Sequence, residues 1–138
     1  MEVLMSTTVK NREIEELVNR KPPIFTNRGL PVKVVYWLSK LEKELVRCLK
    51  DYYKVRMEII STFCKKDEEG KLLQNVQADT FEFLDDKARG MANQRVLELL
   101  DMEVIIPFDK IQIKLADLQG LISADEMVIM DPFIEFTE

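Results

Sequence analysis

From Val34 to Phe63 the chain runs without a proline or a glycine, and no other stretch limits its fold as strongly. Apolar or semi-apolar residues recur at Val34, Leu38, Leu41, Leu45, Cys48, Tyr52, Val55 and Ile59, in alternating steps of four and three. That spacing keeps one face of a helix apolar through about seven turns. In a strand the same residues would scatter over both faces, because side chains there alternate with a period of two. Pro31 suits the opening of the helix, since the N–H it lacks would be unpaired in the first turn. Lys65-Lys66-Asp67-Glu68-Glu69-Gly70-Lys71 closes it: the lysines complement the negative end of the helix dipole and Gly70 suits a turn. A second row, Trp37, Leu49, Ile60 and Phe63, widens the apolar stripe beyond a bare seam, which predicts packing against more than one neighbour.

The flanking segments are shorter. Thr7 and Thr8 can cap a helix over about residues 9–19 with Val9, Ile14, Leu17 and Val18 as its apolar positions. Lys21-Pro22-Pro23 ends it, because a residue before proline avoids the helical region. Residues 24–30 form a connector with Asn27 and Gly29 as turn residues. Beyond the long helix, residues 71–78 read as a connector with Leu72, Leu73 and Val76 turned inward. Asp79 or Thr80 then caps a second helix over about 80–100. Its apolar side holds Phe81, Leu84, Ala88, Met91 or Ala92, Val96 and Leu99, and Ala88, Gly90 and Ala92 are small enough for a close helix approach. A connector this short leaves consecutive helices antiparallel.

The last third changes period. Residues 102–106 and 111–115 read as strands, and the second alternates apolar and polar side chains. Pro107 makes the first a short or edge strand. Ser123 and Glu126 have the spacing of a reciprocal helix cap, and Pro132 keeps that helix short. Phe133, Ile134 and Phe136 are expected to dock onto the hairpin. The expected fold is therefore α+β: a long-helix α-hairpin with a small antiparallel β element and a short C-terminal helix. It is expected as a single domain over residues 1–138, in which 1–28 form a short helix and connector, 31–100 the hairpin, and 101–138 the small β element and short helix.

Composition narrows function mainly by exclusion. The chain has 138 residues and is 46% apolar, enough to build a core and too apolar for a disordered protein. Its net charge of −5 disfavours indiscriminate binding to nucleic acid or anionic membrane. Residues 1–66 carry +6, residues 67–100 carry −4 and residues 101–138 carry −7. Either the halves neutralise each other or a basic face stays open to an acidic partner. No run approaches the ~20 apolar residues of a membrane span. The start, Met1-Glu2-Val3-Leu4-Met5, lacks the basic region and apolar run of a signal peptide. Cys48 and Cys64, about 24 Å apart on one helix, cannot bridge and read as reduced thiols. The expected location is the cytoplasm of a host cell, or a virion.

Histidine is absent, which removes the usual general base and the commonest zinc ligand. Phosphate-loop, dinucleotide and nucleophile-elbow glycine patterns are absent too. Glu68-Glu69, Asp85-Asp86 and Asp125-Glu126 are adjacent carboxylates that diverge by about 100° on a helix and do not converge on a metal. No catalytic residue, cofactor or metal ligand is expected.

Four segments carry a resemblance: Gly29-Leu30-Pro31-Val32-Lys33, Lys65 to Lys71, Glu103-Val104 with Ile111, Lys114 and Leu115, and Ile122-Ser123-Ala124-Asp125. Over about residues 29–135 the chain resembles a group of short proteins of tailed bacteriophages and prophages, generally without an assigned function. The first 28 residues and Trp37 lie outside the likeness. The resemblance implies a small accessory or assembly protein.

Two surfaces then stand as candidates. Trp37, Leu41, Cys48 and Val55 form a candidate partner surface, flanked by Lys40 and Arg47, since the wide stripe exceeds what one shorter helix can cover. Lys40, Lys43, Arg47, Lys50 and Lys54 step by three and four, so they line one face as a basic ridge. Lys40–Glu44, Arg47–Asp51 and Lys54–Glu58 are ion pairs within its reach. The expected function is non-enzymatic: an interaction or assembly protein acting through its long helix, by self-association or on another protein. The alternatives are a nucleic-acid-binding factor using the ridge, and an inhibitor of a host protein whose acidic C-terminal third mimics phosphate charge.

Overall fold

The computed structural model describes residues 6–27, 29–75 and 80–138. It has the expected α+β character, with a long helix, a small antiparallel pairing and a short C-terminal helix. The expectations for Met1 to Met5, Val76 and Asp79 fall outside the described residues. The chain divides into two compact units. The first comprises residues 1–49 and 102–138, and the second residues 50–101.

In the first unit, β1 (Thr7–Lys10) leads directly into α1 (Asn11–Arg20). Sequence periodicity extends that helix back to Val9. Instead, Thr7 to Lys10 pair antiparallel with β4 (Glu103–Ile106), Val9 opposite Val104. Threonine and valine favour a pleated, half-buried strand, and an available partner strand outweighs weak helix propensity. The Glu13 carboxylate accepts from the Lys10 N–H at 2.9 Å and the Met102 carbonyl accepts from the Asn11 N–H at 3.1 Å, so two first-turn donors are satisfied. At the other end Lys21 turns into the left-handed region, φ 45°, and its N–H reaches the Leu17 carbonyl at 3.1 Å. Pro22 then forces the chain away, into a 3-10 turn at Pro23–Phe25.

The helix α2 (Val32–Phe63) follows Pro31 with the expected bounds. Its heptad seam is buried from Val34 to Tyr52, with Leu38, Leu41 and Leu45 each no more than 2% exposed, and opens at Val55. After β4, Pro107 lacks the N–H that would extend the pairing. Phe108 donates to the Ile106 carbonyl at 2.9 Å, and the chain turns into β5 (Ile111–Lys114). This second predicted strand does not pair with the first. It runs parallel to β6 (Ile134–Thr137), Ile111 opposite Ile134. Parallel strands need a long crossover. Here it holds a 3-10 turn at Leu115–Leu118 and α4 (Ala124–Met130). The cap of α4 is the one expected: Ser123 Oγ accepts from the Glu126 N–H at 3.2 Å, and Glu126 Oε1 from the Ser123 N–H at 3.0 Å. Phe133 and Ile134 are buried, with Ile134 in strand pairing, while Phe136 is half-buried. Large side chains buried to this degree each contribute about 1.5–3 kcal/mol.

The second unit holds the end of α2, β2 (Gln74–Asn75), β3 (Thr80–Phe81) and α3 (Asp86–Leu100). Three backbone hydrogen bonds form a closed ring: the Lys65 N–H donates to Glu82 at 2.8 Å, Glu82 to Leu73 at 2.9 Å, and Leu73 to Lys65 at 3.0 Å. Cys64 therefore lies just past the helix, opposite Phe83. The polar turn is tied by Asp67, whose Oδ1 accepts from the N–H groups of Glu69 and Lys71, both at 2.9 Å. Gly70 there has φ 84°, which favours glycine. The second helix starts later than its apolar spacing predicts. Thr80 and Phe81 pair with Asn75 and Gln74, and Asp85 is the cap, accepting from the Ala88 N–H at 2.7 Å. Ala88, Ala92 and Leu99 are its buried residues.

Candidate interaction surfaces

The seam that makes α2 a core helix also decides which of its residues can meet a partner. Of the four partner-surface residues, Leu41 and Cys48 are 1% and 6% exposed and belong to the interior of the first unit. They cannot serve as an open contact, because the positions that keep an apolar stripe continuous are those the fold buries first. Trp37 is half-buried, its ring 5.6 Å from Tyr36 edge-on and 5.8 Å from Phe108. Val55 is exposed. The structure therefore does not join these four residues into one surface.

All five ridge residues, Lys40, Lys43, Arg47, Lys50 and Lys54, are exposed on α2. The Lys40 ammonium lies 4.9 Å from the Tyr36 ring centroid and 5.3 Å from that of Trp37. Arg47 forms an ion pair with Glu44, three residues back, and Cys48 Sγ lies 3.8 Å from the same carboxylate oxygen. The hydrogen bond from Arg47 holds the Glu44 carboxyl below its ordinary value, although partial burial pulls the other way.

The second unit shows exposed surface that the seam did not predict. Tyr53, Met57, Leu73, Leu84, Met91 and Leu97 are all exposed there, Leu84 and Leu97 by more than half. The twelve largest fully buried side chains all lie in the first unit. In the second, the inward positions of α3 are Leu99 and the small Ala88 and Ala92, and the alanines displace little water. Arg95 and Arg89 instead lay guanidinium groups over Phe63 and Phe83, at 5.3 and 5.5 Å from the ring centroids. Among the described residues, Arg56 Nε is buried without a hydrogen-bond partner. The available signal was the pair of alanines on the predicted inner face of α3. A helix that places methyl groups inward leaves its larger side chains elsewhere.

A third feature belongs wholly to the first unit. A groove of about 510 Å³ is lined by Lys33, Trp37, Phe108, Lys110, Gln112 and Lys114, with Val34, Asp109, Ile111 and Thr137. Its wall is set by β5: Ile111 and Ile113 are buried, which turns Gln112 and Lys114 outward. Phe108 is fixed through its carbonyl, which accepts from Thr7 Oγ1 at 2.9 Å. Asp109 Oδ1 accepts from the Lys110 N–H at 2.9 Å.

Among the described residues no group of three or more acidic, cysteine or histidine side chains is placed to hold a metal ion, and no helix is long and apolar enough to cross a membrane. Cys48 and Cys64 are both buried, and burial pushes the Cys64 thiol up. These features define an α+β protein with exposed apolar side chains in both units, as many among the described residues in the shorter second unit as in the first, and a basic, aromatic-walled groove in the first. Compared with protein-family models, curated proteins and solved structures, the chain matches none.

Proposed function

We propose that the chain is a non-enzymatic interaction protein, of phage origin by the resemblance of residues 29–135, and that it self-associates through residues 50–101. The observation that carries this reading is the unfilled second unit. A segment of about 50 residues is marginal on its own even when well packed. This one exposes Tyr53, Met57, Leu84, Met91 and Leu97, and its buried apolar residues are few: Tyr52, Cys64, Leu99 and two alanines. Arg56 Nε supports the same reading, since a buried donor without an acceptor costs about 1–3 kcal/mol and a second chain can supply the acceptor. The unit holds 9 Lys/Arg against 11 Asp/Glu, so two copies carry little net repulsion. A self-complementary patch closes into a two-fold dimer without further contacts.

Sedimentation velocity over a range of concentration and salt tests the proposal. The intact chain is expected to form a dimer that salt does not weaken, as apolar burial requires. Leu97→Glu and Met57→Glu are each expected to weaken it at least about tenfold, the effect of some 1.4 kcal/mol. A monomer at every concentration would overturn the proposal.

A further inference from the structure

We infer that the groove between the first turns of α2 and the outer face of β5 is a binding site for single-stranded nucleic acid. The inference goes beyond self-association and uses none of its residues. Three lysines, Lys33, Lys110 and Lys114, line the groove against one carboxylate, Asp109, whose Oδ1 is engaged by the Lys110 N–H. The chain as a whole carries −5, so a local excess of positive charge here runs against its composition. Lys33 also sits where a helix gains nothing from a cation. It lies in the first turn of α2, which has no acidic residue, and the helix dipole favours carboxylates there.

The aromatic wall narrows the ligand. Trp37 and Phe108 line the same groove. Bases stack on aromatic side chains while lysines track the backbone, the combination that binds single strands without reading sequence. The spacing of the lysines favours a strand over one phosphate. Lys110 and Lys114 are four residues apart in extended chain, roughly 13 Å, so they meet two separate phosphates of a strand more readily than a single one. A duplex would bury its bases away from Trp37, whereas a single strand presents them.

Trp37 is the only tryptophan in the chain, so its fluorescence reports on the groove directly. The test is titration of the full chain with an oligothymidylate of about 12 nucleotides, within the site sizes that known single-strand-binding domains cover. Thymidine monophosphate and inorganic phosphate serve as separate probes. The strand is expected to quench Trp37, with an affinity that falls as salt rises at a log–log slope of about −2, from three lysine contacts. Lys33→Glu and Lys114→Glu, both at exposed positions, are each expected to weaken binding about tenfold or more, while Lys43→Glu on the ridge leaves it unchanged. The inference fails on any of three results: no quenching at low salt, equal affinity for the mononucleotide, or a larger loss from Lys43→Glu than from Lys114→Glu.

Discussion

Around Phe133 and Ile134, neither more than 2% exposed, the first unit closes two strand pairs and the seam of α2. Around Ala88 and Ala92 the second unit closes very little. Its strands are two residues long, and the backbone ring of Lys65, Leu73 and Glu82 ties them to the end of α2. Both units keep one buried cysteine, Cys48 in the first and Cys64 in the second. The difference lies in what fills the space around them. Large apolar side chains supply most of the folding free energy through the water they release, whereas backbone hydrogen bonds largely exchange one partner for another. The second unit buries few large apolar side chains, Tyr52 and Leu99 among them, and among the described residues it exposes as many as the longer first unit.

The sharpest way to break this contrast is a pair of truncations. Phe133→Ala is expected to cost about 3–5 kcal/mol in chemical denaturation, as for other fully buried aromatics. Leu97→Ala, measured where the chain is monomeric, is expected to stay within about 0.5 kcal/mol of the parent. Equal costs would mean that the second unit holds Leu97 as firmly as the first holds Phe133. A smaller effect sharpens the account of the second unit itself. Arg56→Met keeps the stem and removes the unpartnered Nε–H, and it is expected to leave the monomer unchanged or stabilise it by up to about 1 kcal/mol. A loss of more than that would show that the guanidinium is already satisfied.

The smallest expected effect lies in the first unit and depends on pH. Glu44 is held below its ordinary value of 4.5, chiefly by the Arg47 hydrogen bond. Its contribution is therefore fully present above the unfolded-state value and is lost as pH falls through the lowered folded value. The pair is partly exposed, so the amount is below about 1 kcal/mol. Comparing Arg47→Ala with the parent below pH 4.5 should show the variant losing stability less steeply. Parallel acid limbs would contradict it.

The elements that sequence reading placed correctly are those whose signal is local. The span of α2 follows from Pro31 and an unbroken seam, and the start of α4 from Ser123 and Glu126. What it misplaced depends on partners distant in sequence. Val9 fits a helical stripe until Val104 is available to pair with it, and Phe81 fits one until Gln74 lies opposite. The strand at Ile111 alternates as expected, but its partner, Ile134, comes from the tail expected to dock on the hairpin. The surfaces follow the same rule. The basic ridge was legible because lysines on a helix face stay exposed wherever the helix packs. Leu41 and Cys48 were assigned to a surface because one stripe cannot by itself reveal how much of it the fold covers. The groove was invisible for another reason: Lys33, Phe108 and Lys114 are joined only by tertiary structure.

Native-state thiol labelling tests the central claim, that residues 50–101 form an incomplete unit filled by a second copy. Cys48 and Cys64 are 6% and 4% exposed, so a reagent reaches either only when its surroundings open. At low protein concentration Cys64 is expected to label well ahead of Cys48, because its unit opens at lower cost. As concentration rises, Cys64 should slow toward the rate of Cys48, while Cys48 keeps its own. Equal rates at every concentration would contradict the account, since they would mean that both units open together and that no second copy completes either one.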